Sequence, residues 1–497
     1  MKKIYLLLGI LLSMGSSSIA QKVEIGERND FIRYEGSLLG MDKNNYYVLV
    51  GYSYNKKDNY KGTVLYTYDK NLKIVDKTNI DGEQREVATD AFVTDRKLSM
   101  IHADYQLGVM DCHVIDKTTK QCVTKKYFHD ELSRKERAFL YTCKSPDDSL
   151  FFAMKTIFNR KDENIESSKM VLFDNEMNEL WQKDYFVPMS SMFLTNDGEV
   201  MSVGYYVDDN VGTTVRFSVI TGEDEMYIDE TISDLKIGDL KIANSNSGEL
   251  LMYGLMEVDN KRGNDNSRNY YNGFFSFTYN LKTRAISNVN KYIFTDDDYR
   301  IIMNLKADKK VNYENVSFLK PLEVLPTSDG GVVVSYCADY ETIVKSQYGI
   351  SKYKNKESIL LWRLRSDGSI VWHNGFRRIM LTGMFENSWY TPHYITDNDE
   401  VVFVVENSTK DKLDNESPVT IVGKSYMYEY NKAPEKLPTC ITLVRFDKDG
   451  NISKEVVHSE KKMLIVGKSD VLDNGKAVLL YVSNKKAPGG LIRVDVK

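Results

Sequence analysis

Leu325-Pro326-Thr327-Ser328-Asp329-Gly330-Gly331-Val332-Val333-Val334 sets a tight polar turn directly before a run of β-branched residues. Asp-Gly and Asn-Gly pairs supply the positive φ that short hairpin loops require. The same pattern of apolar run, polar turn and second apolar or aromatic run occurs elsewhere along the chain. Its turns are Asp42-Lys43-Asn44-Asn45, Thr94-Asp95-Arg96-Lys97, Ser145-Pro146-Asp147-Asp148, Asn196-Asp197-Gly198, Asn246-Ser247-Gly248, Asp397-Asn398-Asp399 and Asp473-Asn474-Gly475. With Ser328-Asp329-Gly330-Gly331 that makes eight hairpins. One hairpin cannot bury its own apolar face, so eight copies read as a modular array of β units.

A second hairpin series lies between the first. Its clearest turns are Asp69-Lys70-Asn71, Asp116-Lys117-Thr118-Thr119, Asp174-Asn175-Glu176, Ser366-Asp367-Gly368 and Asp447-Lys448-Asp449-Gly450. Runs such as Ile441-Thr442-Leu443-Val444-Arg445-Phe446 are β-branched and aromatic, the composition of a pleated, packed surface. No segment keeps a 3.6-residue period over three turns, and only Asp130 to Ala138 offers a short helix. Two hairpins make a four-stranded sheet, so each pair is one blade of a β-propeller, with strands A to D from the axis outward.

Counting sets the closure. Eight A–B hairpins stand against seven complete C–D hairpins, and one strand, Leu491 to Val496, follows the last A–B hairpin. Lys22-Val23-Glu24-Ile25 can supply the missing outer strand, which joins the termini in one sheet and leaves no open seam. The expectation is an all-β chain folded as a single eight-bladed propeller over residues 21–497; a seven-bladed ring would make one A–B hairpin a decoration.

In a four-stranded meander the A–B and C–D turns share one face of the disc, and the B–C and D–A connections share the other. The long connections are 259–272, 295–317, 339–357 and 408–439. All four belong to the second face and to blades five to seven. Long loops on an ordered scaffold carry function. Trp389 and Tyr390 are the expected anchors of a binding site there, with Tyr270, Tyr271, Arg300, Tyr340 and Tyr426 around them. Tyrosine and tryptophan combine large contact area with a polar handle, which suits a protein, peptide or glycan partner. In a chain with 33 tyrosines these residues could equally pack the loops onto the disc.

Residues 1–20 read as a secretory signal: Lys2 and Lys3, an apolar core from Ile4 to Leu12, then Ser18-Ile19-Ala20 before Gln21. The apolar stretch is too short to span a bilayer. The expected compartment is the periplasm, the cell surface or the medium. Losing both lysines makes the net charge of −5 more negative, and no basic patch marks a nucleic-acid footprint. Five cysteines are too few and too scattered for a disulfide framework. Cys112 and Cys122 lie on two arms of one hairpin, where the register decides between a bridge and two thiols on opposite faces.

Catalytic patterns are absent: no H-E-x-x-H, no G-x-S-x-G elbow and no Walker glycines occur. The sequence therefore nominates no catalytic residue, metal ligand or cofactor. Asp296-Asp297-Asp298 and Asp208-Asp209-Asn210 lack the alternation of a calcium loop and read as solvated charge. Asp90, Glu323 and Asp470 fall on or just before A strands. They could line the channel of a glycoside hydrolase or lyase, the competing class to an exported non-enzymatic binding or scaffold protein.

The segment Leu325 to Gly331 resembles part of a sialidase-type Asp-box, without the following Thr-Trp. Leu364-Arg365-Ser366-Asp367-Gly368-Ser369-Ile370-Val371-Trp372 resembles a blade of quinoprotein-like or similar eight-bladed repeats. In those repeats the Trp recurs in most blades, whereas here only Trp181 and Trp372 take the comparable place. The resemblance, to secreted bacterial propeller repeat proteins in general, implies architecture; it implies neither a quinone nor any catalytic residue.

Overall fold

The computed structural model describes residues 23–32, 36–51, 63–80, 90–185 (without 106 and 163), 191–257 (without 209–211, 233–234 and 247–248), 271–381 (without 304, 306–310, 312–318, 323 and 347–348) and 393–495 (without 409–412, 415–418, 423–437, 462, 473–475 and 485–487). Eight antiparallel blades form a ring. Blade one runs Gly36–Met41, Asn45–Gly51, Thr63–Asp69, Ile74–Ile80, and blade two Asp90–Val93, Lys97–Asp104, Val109–Asp116, Cys122–Tyr127. Blade three follows as Glu136–Lys144, Leu150–Asn159, Ile165–Asp174, Glu179–Asp184, and blade four as Ser191–Leu194, Val200–Asp208, Gly212–Ile220, Glu225–Ile232. Blade five is Ile237–Asn246, Glu249–Glu257, Tyr271–Asn280, Ala285–Ile293; blade six has an inner strand in two pieces, Leu319–Pro321 and Leu325–Pro326, then Val332–Ser346, Gly349–Leu364, Ile370–Phe376; and blade seven is His393–Ile395, Val401–Ser408, Pro438–Phe446, Ile452–Lys461.

Blade eight takes three strands from the C-terminal end, Met463–Leu472, Ala477–Asn484 and Pro488–Asp495, and its outer strand, Val23–Ile32, from the N-terminal end. Val23 pairs with Val494 and Ile25 with Ile492. The count of hairpins in the sequence foretold this closure.

Strand B residues alternate between two neighbours. Leu98 and Met100 pack towards blade one, while Ile101 and Ala103 pack towards blade three. Phe151 and Ala153 likewise face blade two, and Phe152 and Met154 face blade four. Both faces of an inner strand are therefore dry, which is why these strands read as unbroken apolar runs. Among the described residues the buried side chains form eight clusters, one for each junction between consecutive blades. The cluster between blades eight and one joins Leu479, Tyr481 and Leu491 to Tyr46, Val48 and Tyr66. Each fully buried aliphatic side chain in such a seam contributes about 1.5–3 kcal/mol.

The C–D turns add a second repeated contact. Asp69, Asp174 and Asp447 each accept from the backbone N–H groups two and four residues on, at 2.8–2.9 Å, the Asx geometry that makes Asp a turn residue. The following position turns left-handed: Leu72, Met177 and Gly450 have φ of 58°, 60° and 84°. Each turn then rests on the outer strand of the preceding blade. Glu27 N–H donates to Leu72 O (2.8 Å), Lys125 Nζ to Met177 O (2.8 Å), Asn290 Nδ2 to Gly368 O (3.0 Å) and Trp372 Nε1 to Lys448 O (3.0 Å). Trp181 and Trp372 share one job, covering the turn glycines Gly222 and Gly450.

Two expectations change, and the register settles a third question. Asp130 to Ala138 is not helical: Ser133 N–H donates to Glu136 Oε2 at 2.7 Å and a strand begins at Glu136. Among the described residues the helix is instead Asp296–Ile302, designated α1, in the connection between blades five and six. Thr295 and Asp298 cap it reciprocally, so Asp298 is buried at 3% exposure instead of being solvated with its neighbours. Cys112 and Cys122 pair across the strands with Lys125 and Ile115 respectively. Cys112 is packed towards blade three, Cys122 is exposed, and both are free thiols.

Candidate functional site

The two faces of the disc differ in chemistry. On the A–B/C–D face, polar turn groups are spent on joining blades. Arg363, only 7% exposed, donates through Nη2 to Asp329 (3.2 Å) and Asp399 (3.1 Å), binding the A–B turns of blades six and seven. Ser328 donates to Asp399 through its backbone N–H (2.9 Å) and hydroxyl (2.7 Å). The Thr327 hydroxyl first, then the Gly331 N–H and Arg363, hold the Asp329 carboxyl below its ordinary range against the effect of burial.

The B–C/D–A face is built differently. The 339–357 insertion is a hairpin: strands B and C of blade six run on as Val332–Ser346 and Gly349–Leu364, paired from Val332↔Leu364 to Ser346↔Gly349 with one irregularity. Strand Arg378–Leu381, just past the outer strand Ile370–Phe376, meets this hairpin at Asn355↔Leu381. Val419–Val422, from the blade-seven insertion, pairs with it in parallel, Arg378↔Val419 to Leu381↔Val422. The insertions of blades six and seven are thus one sheet. Helix α1 packs into the same region, placing Tyr299 and Ile302 in the seam between blades five and six.

At the inner end of that seam, on the same face, carboxylates and tyrosines gather. Asp239 is on strand A of blade five, and the Tyr336 hydroxyl of blade six donates to its Oδ2 at 3.2 Å. Lys241 Nζ stands 3.5 Å from Asp239 Oδ1. Tyr253 and Tyr336 meet edge to face at 6.0 Å between centroids. From blade four, the Tyr205 hydroxyl donates to Gly238 O at 2.7 Å. Tyr271 and Glu257, directly paired across strands B and C, lie over Gly238, where a Cβ would come within 2.5 Å of the Tyr271 ring. Gly254 is equally obligatory, since a Cβ there would lie 1.8 Å from Asp239 O.

Burial pushes the Tyr271 hydroxyl up to about 12, with Asp239 and Glu257 adding to the shift. Tyr253 and Tyr336 are raised by burial and then by Asp239. Burial also raises the Glu257 carboxyl, which Lys236 opposes. All three tyrosines are therefore neutral hydrogen-bond donors at physiological pH.

Of the residues nominated from sequence, Tyr271 is in this cluster. Arg300 is on α1, held by Asp297 at 3.0 Å and Asp296 at 3.9 Å. Tyr340 is on the extended hairpin, paired with Asn355. Trp389, Tyr390, Tyr270 and Tyr426 lie outside the described residues, as does Glu323. Asp90 is held by Lys144 Nζ at 2.8 Å, an ion pair between blades two and three. Asp470 is on strand A of blade eight, opposite Leu479.

Sequence reasoning passed over Asp239, Glu257, Tyr205, Tyr253 and Tyr336, because each is one polar or aromatic position inside a strand. The available signal was glycine inside strands, Gly238 and Gly254, which marks a bulge or a close approach. A register shift does occur there, between Ile237 and Asp239.

Among the described residues no group of three or more His, Cys, Asp and Glu side chains is placed to hold a metal ion, and no helix is long and apolar enough to cross a membrane. No protein-family model and no curated protein matches this sequence. Solved structures do. Acylaminoacyl peptidase from Pyrococcus horikoshii is 11% identical at a TM-score of 0.35; the match covers 86% of this chain and 59% of that one. This chain therefore spans less than two thirds of that enzyme. The propeller domain of the Trilobed protease from Pyrococcus furiosus is 14% identical over 75% of this chain and 90% of that one, with a TM-score of 0.35. The Dos1 propeller is 8% identical over 95% and 94%, with a TM-score of 0.34. At these values no residue or activity passes from any of them to this chain.

Proposed function

We propose that this is an exported, non-enzymatic binding or scaffold protein whose B–C/D–A face, at blades five to seven, engages a protein, peptide or glycan partner. The observation that carries this reading is the parallel pairing of Arg378–Leu381 with Val419–Val422, which makes two separate insertions one continuous surface. A ring needs no such addition to close. The opposite face, by contrast, commits Asp329, Asp399 and Ser328 to stitching turns together. Trp389 and Tyr390, in the segment that enters blade seven from the elaborated face, are the anchors, with Tyr270, Tyr271, Arg300, Tyr340 and Tyr426 around them. The signal-like residues 1–20 support export to the periplasm, the surface or the medium.

A glycoside hydrolase or lyase working through Asp90, Glu323 and Asp470 is the weaker reading, because the Asp90 carboxylate is engaged by Lys144. The test compares Trp389→Ala with Asp449→Ala, a turn-face change, in capture from native extract. Truncating an aromatic anchor costs about 2 kcal/mol or more, roughly a thirtyfold loss of affinity. Loss in Trp389→Ala alone supports the reading; equal capture by both variants rejects it.

A further inference from the structure

The seam between blades five and six is closed at its outer end by the hydrogen-bonded set Asp298, Tyr292 and His373, is apolar through its middle, and at its inner end brings Asp239 and Glu257 beside three tyrosines. We infer that this inner end, where Asp239, Glu257 and the partly buried Tyr271 stand over the fully buried Tyr253 and Tyr336, is a subsite for a neutral saccharide. The inference rests on the binding reading above and names the ligand chemistry for part of that face.

The Asp239 side chain is 21% exposed, so its carboxylate is within reach of solvent. One oxygen takes the Tyr336 hydroxyl at 3.2 Å; the other has Lys241 at 3.5 Å, longer than a charge-assisted hydrogen bond. That oxygen retains capacity to accept from a ligand hydroxyl. Tyr271, partly buried, offers both a ring face and a donor. The Tyr271 ring beside the Asp239 carboxylate matches the two aspects of a pyranose, its C–H face and its hydroxyl edge.

Charge narrows the class. Asp239 is accompanied by Lys241, and Glu257 by Lys236. Two carboxylates balanced by two lysines leave no net charge to draw in either an anionic or a cationic sugar. A charged sugar would be desolvated there without compensation, a cost that a neutral polyol does not meet. The backbone is shaped for this arrangement, because side chains at Gly238 or Gly254 would displace Tyr271, Glu257 or the Asp239 carbonyl.

The test is calorimetric titration of the full chain with cello-, xylo-, manno- and malto-hexaose, beside a galacturonate hexamer and a chitosan hexamer. The expected result is binding to at least one neutral hexaose, weakened about tenfold or more by Asp239→Asn and Tyr271→Ala. Asp449→Ala should bind as the parent does. If Tyr271→Ala fails to fold, Tyr271→Phe keeps the ring and should still weaken binding through the lost hydroxyl. No heat with any neutral hexaose at millimolar concentration overturns the inference, as does parental affinity in Asp239→Asn or a preference for a charged hexamer. Capture that depends on Trp389 without any hexaose binding would sink the saccharide subsite alone and leave the binding face standing.

Discussion

Asn29 donates a side-chain hydrogen bond to the Tyr481 hydroxyl at 2.6 Å, joining residues 452 positions apart in the chain. The bond ties the N-terminal outer strand of blade eight to an inner strand near the C-terminal end. It accompanies the ladder from Val23↔Val494 to Ile32↔Pro488. On the other side of the outer strand, Ile74 N–H donates to Glu27 Oε2 at 2.9 Å, bringing in blade one. The last junction of the ring is therefore built like the others, from two ends of the chain.

Deleting residues 489–497 should open that junction. Leu491, Ile492 and Val494 are fully buried, and at about 1.5–3 kcal/mol each their loss removes about 5 kcal/mol or more. Thermal and urea unfolding should shift strongly and lose a single cooperative transition. Asn29→Ala, which removes the hydrogen bond to Tyr481, should cost less, about 1–3 kcal/mol. A truncated chain that melts like the parent would disprove the closure.

Trp372 fills the step between blades six and seven, stacking near Phe446 at 6.2 Å and contacting the Gly450 turn. Trp372→Ala should destabilise by about 3–5 kcal/mol. Gly450→Ala should also destabilise, since φ is 84° and the new Cβ would lie 2.9 Å from the indole. Chemical denaturation reads both. Similar loss in Trp181→Ala, and little change for an exposed residue such as Val75→Ala, would support one repeated role for the two tryptophans.

Asp42 provides a pH signature. Burial would raise its carboxyl, but the Lys117 ammonium, the Tyr47 hydroxyl at 2.7 Å and the N–H groups of Asn44 and Asn45 bring it down to about 2. A folded-state value below the unfolded one gives stability that is complete above the unfolded value of 3.8 and disappears as pH falls through about 2. Allowing for partial exposure, the contribution is about 1–2 kcal/mol at neutral pH. The melting difference between the parent and Asp42→Asn should be constant from pH 7 to about 4 and shrink towards pH 2. A difference that grows on acidification would contradict this assignment.

The fold was legible because each blade announces itself locally. The Asx turns at Asp69, Asp174 and Asp447 and the alternating seams are properties of consecutive residues. The closure was legible because it is a matter of counting. Helix α1 was not, since seven residues are too few for a period to show; its capping pair, Thr295 and Asp298, was the only mark. The inner-seam cluster was hidden for a different reason. Asp239, Tyr253 and Tyr336 come from three strands on two blades and meet only through seam packing. Tyr271 was reachable from sequence because it borders an insertion.

The most direct test of the functional account replaces a connection instead of a side chain. Glu257 and Tyr271 are paired directly across strands B and C of blade five, so a short Gly/Ser turn can close that hairpin in place of residues 258–270. The comparison is partner capture from native extract by this variant and by Asp449→Ala, with unfolding curves confirming that both rings are intact. The account predicts that the loop replacement loses capture while Asp449→Ala retains it. Undiminished capture by the loop replacement, or loss in Asp449→Ala, would contradict the assignment of binding to the B–C/D–A face.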